Sequence, residues 1–580
     1  MAYLYKKLAA KTHPFGDGNI LLFSCGLLTG SSAPAASRLH VNALSPLTGI
    51  LGSSNIGGYA GAWLRSCGIQ SIVVKGRSVR PVLLYVDEEK GRLIDASPYW
   101  GLDSFRTQEK IEADFRDQKI KILTIGPAGE NLVRFACIMS QRDHAAGRTG
   151  MGAVMGSKKL KAIVIAKGKK KPFSSSAETR EAVTSYVKKI RKSAEYETFS
   201  KYGSSGYVKW ADDMGIVGTR NYATSRFEFI DKIDARRLDS NVVRRSGCFH
   251  CPVQCKADLF LSSADTVERK ATRPEFEPML NLGAKCGLDN LETIVRLDNL
   301  CSRLGLDSTS AASAVAFAMK LFEEEILSIE DAGGLSLNWG NGEAMEKLLR
   351  LIALGEGLGG ILGQGVRRAA IQIGKGSDRH AAHVKGLETT AYHPGAIFGT
   401  ALGYAISSRG GDYNNIYASL EYTWDKKKAE KAFGSQESVS IQSTSGKGQL
   451  IRRAVLVNIA LDSLGICKVP ALSLLGRFDL QDEADLASAI VGTPISADDL
   501  FQTADRIATL ERLFNLRHSI QEDDHRLPPL FYASVDSRLT PDKLDTMVQD
   551  FYRAMEWDPF GSPNKRKVEE AIESLSGLSG

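Results

Sequence analysis

No stretch of about 18 uninterrupted apolar residues occurs in the chain, so no membrane span is expected. The opening, MAYLYKKLAAKTHPFGDGN, is polar and basic, with no short apolar core behind it, so no secretory signal is expected either. Cysteine is sparse. Nine in 580 residues cannot make the dense disulfide framework of a small secreted fold, and a chain this long buries enough surface to need no such staples. The thiols therefore read as metal ligands or buried small hydrophobes, and the reducing cytoplasm as the location. No aromatic residue interleaves with the basic run that follows residue 166. The longest basic run, Lys167 to Lys171, reads as a solvated linker surface, which argues against a nucleic-acid partner. No repeat with a period of about 20–50 residues is visible.

What is present is ordinary globular composition, 43% hydrophobic and 24% charged, with a net charge of +7 that suits an acidic partner without demanding one. From residue 19 to 166, short Val/Ile-rich runs (ILLFSCGL, IQSIVVKG, PVLLYVD, KIKILTIG, LKAIVIAKG) alternate with Gly/Pro/Ser turns, which predicts strands. The Lys- and Ser-rich segment KGKKKPFSSSAE ends this region. Beyond it, ETREAVTSYVKKIRKSAEYETF, LETIVRLDNLCSRLG, TSAASAVAFAMKLFEEEIL and AMEKLLRLIALGEG carry a 3.6-residue period and stop at Gly or Asp. The expectation is an α+β chain: a β-rich domain over 1–173, then mostly helical domains over 174–382 and 383–580.

The strongest chemical signal is GCFHCPVQC, which places Cys248, Cys251 and Cys255 at C-x2-C-x3-C spacing. Three thiolates on one turn of chain suit an iron–sulfur cubane. They equally suit a zinc knuckle completed by His250 or a distant residue, and the trio alone leaves both readings open.

Four separated stretches, in order and covering about residues 19–520, resemble the aldehyde ferredoxin oxidoreductase family: LTGSSAPAASR with SPLTGILGSSNIGGYAG; IGPAGENLVRFACIM with AAGR and GAVMGSKKLKAI; PEFEPMLNLGAKCGLDN with LGLDS; and LGYAISSRGG with LDSLGIC. The resemblance implies a [4Fe–4S] cluster on the cysteine trio, with Cys467, at the end of Asp462-Ser-Leu-Gly-Ile466-Cys467, as fourth ligand. Beside it would sit a tungsten or molybdenum bis-pyranopterin. Asp462 would accept from the N–H edge of one pterin, and Leu306 and Asp307 of Ser302-Arg-Leu-Gly-Leu-Asp would contact the other. Arg38, Asn55, Gly57, His144, Ala145, Gly147 and Arg148 would surround the pterin phosphates and a bridging Mg²⁺. Glu277 of PEFEP is the implied acid/base residue. The implied reaction is oxidation of an aldehyde, with ferredoxin or a ferredoxin-like subunit as electron acceptor.

The sequence also departs from the family pattern. Tyr413 stands where a histidine is common and is a second candidate catalytic residue, a hydrogen-bond donor rather than a base; Ser302 replaces the first aspartate of the second pterin motif, and His144 replaces an arginine, keeping a donor but losing a permanent charge. The chain opens after the first strands that the resemblance implies. The E-x-x-H iron site of some family dimers reads Arg296-Leu-Asp-Asn299, so that site is expected to be absent and oligomerisation is left open. Two other readings remain: a benzoyl-CoA-reductase-like subunit acting on an acyl substrate, and a degenerate electron-transfer subunit that keeps only the cluster.

Overall fold

The structure is a computed structural model, and it describes residues 1–576 apart from 117, 171–172, 174–175, 262–269 and 519–524. The boundary expected at residue 173 therefore falls mostly outside the described residues. The first sheet comprises β1 (Leu21–Cys25), β2 (Leu39–Leu44), β3 (Leu51–Ile56) and β4 (Ser71–Val74), antiparallel in the order β3-β2-β1-β4. Alternation along β2 buries Leu39, Val41 and Ala43 and leaves His40 and Asn42 on the other face. His40 pairs directly with Asn55 of β3, so the polar face of this sheet carries Asn55 and Ser53 together.

The second sheet adds β5 (Val82–Val86), β6 (Gly91–Asp95), β7 (Ile120–Thr124), β8 (Ile138–Ser140), β9 (His144–Ala146) and β10 (Leu160–Ala166), ordered β6-β5-β10-β7-β8-β9. Its short edge strand β9 presents His144 and Ala145. The remainder is mostly helical, as expected, with two small additions: a two-stranded pairing of His383–Val384 with Leu387–Glu388, and a larger sheet that bears on the site. A three-stranded sheet of β11 (Val242–Ser246), β12 (Lys256–Phe260) and β13 (Lys270–Thr272) makes the cysteine trio the connection of a hairpin, β11–β12.

Four helices position the site. Each of the first three ends at a residue that contributes to the site or lies beside one that does: α1 (Phe276–Leu282), α2 (Leu291–Leu304), α3 (Ser308–Glu323), and the long α4 (Lys447–Leu464). Asn290 caps α2 and Asp307 caps α3, each accepting from a backbone N–H of the first turn. Asn299 on α2 exchanges hydrogen bonds with Thr272, at 2.9 and 3.0 Å, tying that helix to β13. Among the described residues no helix is long and apolar enough to cross a membrane.

Candidate active site

Two helix ends face the β-rich region and are built alike. Helix α4 runs through Leu464 into Gly465, whose φ of 78° closes the helix, followed by Ile466 and Cys467. Helix α2 runs through Leu304 into Gly305, φ 73°, followed by Leu306 and Asp307. Each glycine is pressed on a glycine of the β-rich region. A Cβ on Gly26 would lie 2.2 Å from the Gly465 nitrogen, and one on Gly126 would lie 2.4 Å from the Leu304 carbonyl oxygen. Backbone bonds fix both junctions: Leu28 N–H to Leu464 O at 2.8 Å and Arg38 N–H to Gly465 O at 3.1 Å on one side, Cys137 N–H to Gly305 O at 2.9 Å and Asp307 N–H to Phe135 O at 3.1 Å on the other. Replacing Gly465 with alanine adds a left-handed penalty and a clash, since its Cβ would lie 2.1 Å from Thr29 Oγ1. A loss of roughly 2–4 kcal/mol is expected, read as a lower urea-unfolding midpoint.

Between these two ends lies a cavity of about 680 Å³, lined by Arg38, Asn55, Gly57, His144, Ala145, Gly147, Arg148, Leu306, Asp307, Asp462 and Ile466, by the four cysteines, and by Glu277 and Tyr413. Every site residue expected from the sequence is thus brought to one space, of the size usual for cofactor sites. Four of them form a continuous chain of contacts. Arg38 donates to Cys467 Sγ (2.8 Å) and to Asn55 Oδ1 (3.2 Å). Asn55 donates to Asp462 Oδ1 (3.1 Å), and Asp462 pairs with Lys468 (3.2 Å). Burial works against ionisation of Asp462, but Lys468 and His40 outweigh it and hold its carboxyl below the ordinary carboxylate value. At neutral pH it is an acceptor only.

The thiols border the cavity from two directions: Cys248, Cys251 and Cys255 from the hairpin loop, Cys467 from beyond α4. Burial pushes Cys251 up to about 12, whereas at Cys248 it is outweighed by His144, Arg38 and the Gly58 N–H, which bring that thiol down to about 6. His144 lies 3.4 Å from Cys248 Sγ and 2.7 Å from Asp143. Burial disfavours its charge, but Asp143 and Cys248 overcome this and raise it to about 9. His144 is therefore a cation at neutral pH, so the charge expected to be lost with the arginine is restored by its carboxylate neighbour. His250 donates from Nδ1 to the Ser31 carbonyl (3.1 Å) and is exposed, so its Nδ1 is engaged with the backbone. Among the described residues no three His, Cys, Asp or Glu side chains draw together as a single ion requires. Four thiols spread around one cavity suit a cubane better than a lone tetrahedral zinc.

The opposite wall is strongly charged. Arg148 pairs with Asp307 (3.2 Å) and donates to the Glu388 carbonyl. Arg409 pairs with Asp412 and donates to the Ser53 carbonyl. Buried atoms here without a hydrogen-bond partner include Arg148 Nη1, Arg409 Nε and Asp412 Oδ1. Unpaired buried donors on arginines fit an anionic, hydrogen-bonding ligand such as a pterin with its phosphate. The Arg409–Asp412 pair was not among the residues expected from the sequence, although R-G-G-D marked the segment.

Glu277 sits in the first turn of α1. Its Oε2 accepts from Ala391 N–H and Asn281 Nδ2, both at 2.8 Å. Burial raises its carboxyl above the ordinary range, against the Ala391 N–H and the charge of buried Lys285. Tyr413 Oη lies 2.5 Å from Tyr422 Oη, and its ring stacks on Tyr392 at 4.4 Å.

Comparison with known proteins points to one family. The family model for the aldehyde ferredoxin oxidoreductase N-terminal domain matches residues 1–167, and that for domains 2 and 3 matches 181–571. The chain is 32% identical over 579 residues to the tungsten-containing aldehyde ferredoxin oxidoreductase of Pyrococcus horikoshii and 33% identical over 577 to that of Pyrococcus furiosus, covering 98% of this chain and 92% of each relative. An aliphatic sulfonate oxidoreductase, WOR-like subunit, of Pyrococcus furiosus is 28% identical over 598 residues, with 98% of this chain and 90% of the relative covered. Among solved structures, the active site complex BamBC of benzoyl coenzyme A reductase with 1,5-dienoyl-CoA shares the fold. Its TM-score is 0.84 at 22% identity, over 100% of this chain and 94% of that one.

Proposed function

Because the chain belongs to the aldehyde ferredoxin oxidoreductase family, we propose that it oxidises an aldehyde to a carboxylic acid and passes the electrons to ferredoxin or a ferredoxin-like electron-transfer subunit. The observation that carries this reading is the convergence of four thiols, two matched helix ends and the Glu277 carboxylate on a single cavity. Cys248, Cys251, Cys255 and Cys467 would hold a [4Fe–4S] cluster. Asp462 with Ile466, and Asp307 with Leu306, would hold the two halves of a tungsten or molybdenum bis-pyranopterin. Arg38, Asn55, Gly57, His144, Ala145, Gly147 and Arg148 would surround its phosphates and a bridging Mg²⁺. When bound, the metal centre supplies two-electron redox chemistry and the cluster relays electrons singly. Nine free thiols support a reducing, cytoplasmic setting.

The overall change is RCHO + H₂O → RCOO⁻ + 3H⁺ + 2e⁻, so protons must leave the reacting centre. In this reading Glu277 takes one from water. Asn281 and the Ala391 N–H fix one of its oxygens, which orients the carboxylate. His144, Arg148 and Lys468 supply positive charge along the cavity, and Asp462 orients its ligand by accepting hydrogen bonds.

A base must be ionised to act. With its pKa raised, activity is retained above that value and lost as pH falls through it. The acid limb of kcat/KM is therefore expected above the ordinary glutamate value of about 4.3. Glu277→Gln is expected to lower turnover by at least about a hundredfold and to remove that limb, with iron and tungsten or molybdenum unchanged. Full activity in the metal-replete variant would sink the assignment.

A further inference from the structure

The cavity has a second character beyond Glu277. One wall is made of rings that come from separate parts of the chain: Trp210 of the helix Val208–Asp213, Phe276 at the start of α1, Tyr392, Tyr413, and Tyr422 of the short helix Leu420–Thr423. They touch one another in sequence. Phe276 and Tyr392 centroids are 5.4 Å apart at 32°, Tyr392 and Tyr413 4.4 Å apart at 29°, and Trp210 and Tyr422 5.1 Å apart at 57°. The Tyr413 and Tyr422 hydroxyls hydrogen-bond to each other, so one of their two donors is already engaged within the wall. Burial pushes both phenols far above their ordinary range, so they stay uncharged. The carboxylates nearby are engaged too: Glu275 with Lys256 at 2.7 Å, and Glu195 with the Tyr207 hydroxyl. What the wall offers is ring surface adjoining the residue Phe276-Glu277, on which the proposed base stands.

We propose that this wall is the subsite for the ring of an uncharged aromatic aldehyde, seated so that its carbonyl is presented to Glu277. The assignment rests on the aldehyde-oxidising reading above and specifies its substrate class. A flat ring gains offset or edge contacts with neighbouring rings in addition to burial. An alkyl chain of similar size gains burial alone and loses rotamer freedom on binding. Tyr413, where the family pattern has a histidine, is itself part of the stack. The ring carbons take no part in the reaction, whose atoms and electrons balance as for any aldehyde.

The test uses metal-replete holoenzyme with a one-electron viologen dye as acceptor, comparing benzaldehyde with hexanal. Benzaldehyde is expected to have a kcat/KM at least about tenfold higher, within the range that apolar pocket contacts can discriminate. Trp210→Leu and Tyr422→Leu, each checked for metal content, are expected to lower that ratio at least about fivefold, mainly through KM for benzaldehyde. Calorimetry of benzoate and hexanoate binding gives a readout without turnover, and benzoate is expected to bind more tightly in a Trp210-dependent way. Equal kcat/KM for the two aldehydes, or a ratio unmoved by both variants, overturns the aryl subsite and leaves aldehyde oxidation standing. Trp210-dependent benzoate binding without turnover of any aldehyde keeps the subsite and overturns the reaction. Absence of both overturns both.

Discussion

Replacing Cys467 with serine is expected to strip the protein of most of its cluster iron, from about four atoms per chain, and with it dye- or ferredoxin-linked turnover. Cys286→Ala and Cys301→Ala should keep both. The difference lies in where the sulfurs are. Cys467 borders the same cavity as the hairpin trio, with its Sγ accepting from Arg38 at 2.8 Å. Cys286 is fully buried, its thiol contacting the Asn281 and Ala312 carbonyls at 3.4 Å, and burial pushes it up to about 12. Cys301 is fully buried too, and burial likewise pushes its thiol up. Such thiols behave as small hydrophobes. Iron content and thiolate-to-iron absorption of the three purified variants decide the matter. If Cys467→Ser keeps the iron of the wild type, the fourth ligand lies elsewhere.

Asp462→Asn is expected to empty the pterin site while the chain stays folded. The carboxylate now accepts from Asn55 on one oxygen and pairs with Lys468 on the other. An amide in its place keeps the shape, weakens the Lys468 contact, and turns one acceptor into a donor, facing either Asn55 or the N–H edge of a pterin. A buried donor–donor encounter costs about 1–3 kcal/mol, and losing a charge-assisted pair at the ligand adds to it, enough for at least a tenfold loss of tungsten or molybdenum per chain. The helix end itself does not depend on the side chain, because Gly465 N–H bonds to the Asp462 backbone carbonyl, so the circular dichroism and the iron content should persist. Unchanged tungsten or molybdenum in the purified variant would remove Asp462 from the site.

Much of this was legible in the sequence because its signals are local. C-x2-C-x3-C, D-x-x-G-I-C and L-G-L-D each place a ligand type beside a turn residue, and the resemblance in order along the chain joined them. The five Val/Ile-rich runs became β1, β4, β5, β7 and β10. The strands that carry the polar wall were harder to read. LHVNAL and LGSSNI have polar or small residues at alternate positions because that face looks into a cavity rather than a core, and β11, with two arginines, has an exposed face. The ring wall could not be read at all. Residues 210, 276, 392, 413 and 422 share no spacing, and only the folding of three distant segments brings them together. The same holds for the Arg409–Asp412 pair, whose meaning depends on the Ser53 carbonyl that it reaches.

The contact between Arg38 and Cys467 joins residues 429 positions apart, and this bears on when the holoprotein can form. A chain emerging from the ribosome presents the β-rich half of each grip early: Gly26, Arg38 and Asn55 on one side, Gly126 and Arg148 on the other. The partner of the second side, Gly305 to Asp307, follows later, and the partner of the first arrives only with Asp462 to Cys467. Contacts of such long sequence separation form slowly and late. A pterin and a cluster held as proposed would therefore be received by a nearly finished chain, after synthesis rather than during it.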